Sequence, residues 1–100
     1  MRVLLHPAEE DLRLANVFHA LSDPARLEVV RTLIALGTEQ SCNSLGEAMA
    51  RSTLSHHLKV LRESGITQTR LSGTHRFVKV RTEELERRFP GLLSLVTAAA

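Results

Sequence analysis

RSTLSHHLKVLRESG, residues 51–65, sets two histidines side by side among serines, leucines and basic side chains. Read as a helix, it has one apolar stripe, with Leu54, Leu58 and Leu61 at i, i+4 and i+7. Successive helical residues turn by ~100°. Measured from Leu54, His57 falls at ~300°, at the border of the stripe, and His56 at ~200°, facing away. Ser52, Ser55 and Lys59 fall at ~160°, ~100° and ~140°, on the side of His56. Adjacent helical residues do not share a face, so the histidine pair is a poor chelate; helix-borne zinc ligands stand three or four apart. The outward face is small, polar and cationic, and it starts at a helix N-terminus. Such a face suits a major groove, where hydroxyls and an imidazole reach base edges and Lys59 meets phosphate. The bland alternative for His56 is a solvated histidine. His57 is expected to pack its ring on the core with one nitrogen hydrogen-bonded.

Upstream, SLGEAMA is expected to be a short helix opened by a capping box, Ser44 and Glu47 standing at the S-x-x-E spacing. A turn at Ala50–Arg51 then leads to Ser52 as N-cap of the next helix, which ends at Gly65. Two short helices joined by a tight turn make a helix-turn-helix unit over 44–65. Further upstream, SDPARLEVVRTLIALG is strongly punctuated. Asp23 can cap it, Pro24 takes the first helical position and Gly37 can end it. Leu27, Val29, Val30, Leu33, Ile34 and Leu36 cover more than one stripe, as expected of a helix buried on several sides. A first helix is predicted over about residues 8–20 from the spacing of Leu14, Val17, Phe18 and Leu21. GTEQSCN reads as a connector.

Downstream, the period changes. ITQTRL and HRFVKVR alternate, and SGT between them reads as a hairpin turn at Gly73, giving a wing over 66–81. Thr82 can cap a last helix that Pro90–Gly91 breaks or kinks before LLSLV. The predicted fold is mainly α with a small β-hairpin, in the order α-α-α-α-β-β-α: one winged helix-turn-helix domain over 1–100.

The chain is 100 residues long and 43% hydrophobic, enough for one core. With three Phe, no Trp and no Tyr it can hardly supply a stacking platform for single strands. Its net charge of +2 is unevenly divided. Residues 51–81 hold seven basic side chains against Glu63 alone, net +6, and the rest nets −4. A basic segment on an acidic body points to a polyanion. The expected contacts to double-stranded DNA are Arg51, Ser52, Thr53, Ser55, His56 and Lys59 from the helix, with Arg70 and Arg76 flanking the wing. The competing view of the wing is a hairpin whose basic residues only protect an edge strand. Cys42 is the single cysteine, so no internal disulfide forms, which fits a reducing cytoplasm. Neither terminus is apolar enough for a signal peptide or a bilayer span, so no membrane role is expected.

With these residues in place, the chain resembles the ArsR/SmtB family of bacterial winged-helix repressors. The resemblance rests on FHALSDPARLEVVRTL (18–33), LGEAMARSTLSHHLKVLRESGI (45–66) and RLSGTHRFVKV (70–80), about half the chain. It implies a homodimer that represses transcription from an imperfect inverted repeat and is released by a signal. It also assigns the first and last helices, 8–21 and 82–97, to dimerisation. Leu14, Val17, Phe18, Leu92, Leu93, Leu95 and Val96 are the corresponding apolar residues here; alternatively these stripes close a monomer's core. The metal-sensing motifs do not carry over. Arsenic and cadmium sensors resemble ELCVCDL where this chain has EQSCNSL (39–45), so Ser41 and Asn43 stand in place of thiolates and one neutral thiol cannot hold a soft metal. The last helix lacks histidine, and His6 and His19 are the remaining candidate ligands. No cofactor and no metal are expected. The effector, whether small molecule, redox change or protein, is not specified.

Two other function classes compete. Ser55–His56 superficially resembles a nucleophile and base, but the side chains diverge and no carboxylate orients the imidazole. A winged-helix interaction module without DNA binding would carry an apolar or acidic recognition helix, unlike Ser52, Ser55, His56 and Lys59. Cys42 has no basic neighbour in sequence to lower its pKa, so a buried inert thiol is expected.

Overall fold

The structure is a computed structural model that describes residues 4–45 and 49–98. A short 3-10 turn at Glu9–Asp11 precedes α1 (Leu14–Leu21) and α2 (Pro24–Leu36). Then follow β1 (Gln40–Ser41), α3 (Cys42–Leu45), α4 (Arg51–Glu63), β2 (Thr67–Ser72), β3 (His75–Val80), α5 (Thr82–Arg88) and α6 (Leu92–Ala98). The strands form one antiparallel sheet in the order β1-β3-β2.

The central helix forms as its punctuation dictates. Asp23 Oδ1 accepts from the backbone N–H groups of Ala25 (2.8 Å) and Arg26 (3.2 Å), and the chain leaves the helix at Gly37. α2 packs against α1, α4, α6 and β3, placing Val29, Val30 and Leu33 in the core. Around them lie Leu54, Leu58 and Leu61 of α4, Ile66, Val78 of β3, Leu85 of α5 and Leu93 of α6. The wing turns through Gly73–Thr74, between the paired Ser72 and His75. Of these two residues only Gly73 has positive φ (61°), at the first central position, which is where a II′ hairpin turn demands glycine.

Several boundaries differ from the sequence reading. The first helix begins at Leu14, not near residue 8, because Leu12 leaves helical geometry (ψ 128°) to bury its side chain in the core. The helix after the connector begins at Cys42, two residues early. Ser44 therefore lies inside it, its hydroxyl donating to the Ser41 carbonyl at 2.8 Å; Glu47, the other half of the expected box, lies outside the described residues. α4 starts at Arg51 with Ala50 in the capping position, so Ser52 is helical and free to face outward. The connector also contributes β1, a strand made by tertiary pairing: Gln40 opposite Val78 and Ser41 opposite Phe77. The last helix is broken into α5 and α6, with Pro90–Gly91 between them.

The seven apolar residues assigned to dimerisation divide in two. Val17, Leu92, Leu93 and Val96 are buried within the protomer and belong to its core. Leu14, Phe18 and Leu95 remain 43%, 53% and 64% exposed.

Candidate nucleic-acid interface

α4 has the two faces that its periodicity requires. Leu54, His57, Leu58 and Leu61 are buried, whereas Arg51, Ser52, Thr53, Ser55, His56 and Lys59 are exposed. The two histidines therefore differ in kind. His56 meets solvent; His57 lies beneath the helix with its Nδ1 3.3 Å from Arg26 Nη1. A guanidinium only donates, so Nδ1 is the acceptor in that bond.

Arg26 was not anticipated as a structural residue, though a signal existed. It stands at the head of the stripe Arg26, Val29, Val30, Leu33, the i, i+3, i+4, i+7 pattern of a buried face. The structure buries it (8% exposed) and uses its donors three ways. Nε donates to the Ala20 carbonyl at 2.7 Å, Nη1 reaches His57, and Asp23 Oδ2 lies 3.9 Å from Nη1. One guanidinium thus joins the end of α1, the cap of α2 and the underside of α4, which fixes how the exposed face of α4 is presented.

The wing separates two arginines expected to act together. Arg76 pairs across the hairpin with Leu71, and Arg70 with Phe77, so they point to opposite faces of the sheet. Arg76 faces α4 and lines the cleft between that helix and the wing. Arg70 turns outward, over the Phe77 ring at 4.7 Å, and makes a two-pronged ion pair with Glu39: Nη2–Oε1 at 2.7 Å and Nε–Oε2 at 3.2 Å. That bond holds the Glu39 carboxyl below its ordinary pKa. Arg81, also counted in the basic segment, is buried and donates to Glu84 Oε2 (2.9 Å) and the Pro7 carbonyl (2.7 Å). Two of the seven positive charges are thus paired with carboxylates of the same chain, Arg70 at the surface and Arg81 in the interior.

A further contact unseen in the sequence joins the N-terminal arm to the wing. His6 Nε2 accepts the backbone N–H of Thr69 in β2 at 3.0 Å. Partial loss of solvent around the ring, with Arg62 and Arg81 nearby, lowers the His6 pKa from its ordinary 6.5.

Residues 21–70 match the helix-turn-helix domain family. The chain is 41% identical over 81 residues to the HTH-type transcriptional regulator YceK of Bacillus subtilis, covering 79% of this chain and 81% of that one. Among solved structures it is similar to the transcriptional repressor BigR from Xylella fastidiosa, with 32% identity, 87% and 86% of the two chains covered and a TM-score of 0.66. It is also similar to a homodimeric winged helix-turn-helix DNA-binding domain from Mycobacterium bovis, a possible ArsR-family transcriptional regulator. That match has 26% identity, 85% and 78% coverage and a TM-score of 0.68. The chain belongs to the ArsR family of transcriptional regulators. It is a winged helix-turn-helix DNA-binding regulator, and its relatives are transcriptional regulators.

In this ArsR-family protein Cys42 stands between Ser41 and Asn43, neither of which carries a thiol. Cys42 is half-buried, and burial raises its pKa above the ordinary thiol value, with Arg76 opposing more weakly. Among the described residues no group of three or more His, Cys, Asp or Glu side chains is placed to hold a metal ion. No described helix is long and apolar enough to cross a membrane.

Proposed function

We propose that this regulator acts as a homodimeric repressor on an imperfect inverted repeat and is released by a signal other than a metal ion. The observation that carries this reading is the exposed polar face of α4, oriented by the Arg26–His57 contact. Ser52, Thr53, Ser55 and His56 would meet base edges in the major groove, and Arg51 and Lys59 the flanking phosphates. Residues 44–65 form the reading unit and 66–81 the wing, with Arg76 toward the backbone or the adjacent minor groove. Arg70, engaged by Glu39, serves mainly to stiffen the wing.

Pairing of two copies is supported by the exposed Leu14, Phe18 and Leu95 on segments 8–21 and 82–97, and by the homodimeric Mycobacterium bovis relative. Two recognition helices on successive major grooves would place half-site centres roughly 10 to 11 base pairs apart. The test is selection of bound fragments from the source genome, followed by anisotropy and sedimentation on the selected duplex. Two protomers per palindrome, unaffected by zinc, cadmium, nickel or arsenite, is the expected result. A monomer binding one protein per site, or stoichiometric release by a metal, would overturn it.

A further inference from the structure

Between α4 and the inner face of the wing runs a cleft of about 410 Å³, within the range of small-molecule sites. Leu54 and Leu58 line one wall. Arg51 and Arg62 stand toward opposite ends of that wall, about 16 Å apart along the helix, and Arg76 faces them from β3. No acidic side chain lines the cleft among the described residues, and Cys42, its thiol kept protonated by burial, adds no negative charge. Arg51, Arg62 and Arg76 make no ion pair or side-chain hydrogen bond among the described residues. By contrast, Arg26, Arg70, Arg81 and Arg87 are all paired with carboxylates. Thr69, in the facing strand, is 8% exposed, and its Oγ1 has no hydrogen-bond partner. Three guanidiniums without a carboxylate partner among the described residues thus line one concave surface, whereas Arg13 and Arg31, also without one, lie outside it.

We propose that this cleft is an effector site for a small organic anion with an apolar body, and that the anion competes directly with DNA. A single inorganic oxyanion cannot span Arg51 and Arg62, and the leucines between them favour a ligand with hydrocarbon beside its acidic group. Charge-assisted bonds to guanidinium supply orientation, as planar arginine forks do for carboxylate, phosphate and sulfonate groups. Competition follows because Arg51, Ser55 and Arg76 line the cleft and also belong to the surface offered to DNA. An anion seated there occupies those donors and sets negative charge where a phosphodiester would approach. The competition, though not the binding, rests on the DNA reading above.

The probe is 8-anilinonaphthalene-1-sulfonate, titrated by fluorescence into the whole protein at constant ionic strength. Saturable binding at one probe per protomer is expected. Arg62→Met should weaken it about tenfold, the loss of one charge-assisted bond, while Arg62→Lys retains more of it. Leu36→Ser, which removes an exposed leucine outside the cleft, should leave it unchanged. Thermal melts check that each variant is folded. On the selected operator duplex, the probe should raise the apparent Kd of the wild type in proportion to its concentration, with no plateau. Arg62→Met should bind duplex like the wild type and lose this sensitivity. Probe binding indifferent to Arg62→Met in a folded protein, or moved instead by Leu36→Ser, would overturn the site. A plateau in the Kd would overturn the competition. Failure to bind any duplex would refute the DNA reading, while the fluorescence arm still decides the cleft.

Discussion

His56 and His57 are chemically identical neighbours, and one turn angle of the helix gives them different work. His57→Ala would leave Arg26 Nη1 without its acceptor in a buried setting, at a cost of about 1–3 kcal/mol in unfolding free energy by denaturant titration. His56→Ala should leave the melt almost unchanged and weaken operator binding by about 1–3 kcal/mol, with much less effect on scrambled duplex. If the two phenotypes were exchanged, the helix would dock rotated by about a quarter-turn. The wing arginines should separate as sharply. Arg76→Ala is expected to lower the salt slope of DNA binding by about one unit. Arg70→Ala should change the slope less, since Glu39 already neutralises that guanidinium. The faces of α4 were legible because helical period alone decides them. The pairings of Arg26 with His57 and Arg70 with Glu39 were not, because each partner lies 31 residues away.

At the scale of elements, the turn after α4 is the tightest constraint. Gly65 has φ +87°, and a β-carbon there would overlap the Leu12 side chain and stand 3.3 Å from Pro7. Gly65→Ala combines left-handed strain with overpacking and should cost roughly 2–4 kcal/mol, read as a lowered denaturation midpoint. The sequence placed a glycine cap here, but not its neighbour: Leu12 arrives because the expected first helix starts late. β1 was equally hidden, since two residues carry no period and gain their strand geometry only by pairing with β3. The contact of His6 with β2 is sensitive to acid. Above pH 6.5 the ring is neutral in folded and unfolded chains alike, and Nε2 accepts from Thr69. As pH falls through 6.5, the unfolded chain takes up a proton that the folded chain resists, so stability declines down to the lower folded pKa and then levels. Thermal melts from pH 7.5 to 5 should show this slope, and His6→Ala should reduce it.

For the whole molecule, the fate of the terminal apolar residues separates the core from the surface proposed to pair two copies. Composition could count them but not sort them, because burial depends on how α1 and α6 each roll against α2. Phe18→Glu with Leu95→Glu should yield a folded monomer in sedimentation, with a melt near that of the wild type protomer and weak palindrome binding. Val17→Glu puts a charge in the core and should prevent folding. The winged architecture itself was readable from the order of stripes and the change of period, since each element signals independently. One consequence of the sheet order concerns solubility. β2 is an outer strand, and an outer strand with open amides invites a second chain to add to it. At Thr69 the chain's own imidazole fills that position, acting as a stopper against strand-by-strand accretion. Acid that charges His6 withdraws the stopper, and the onset of light scattering on mild acidification should track loss of the His6–Thr69 contact before the core melts.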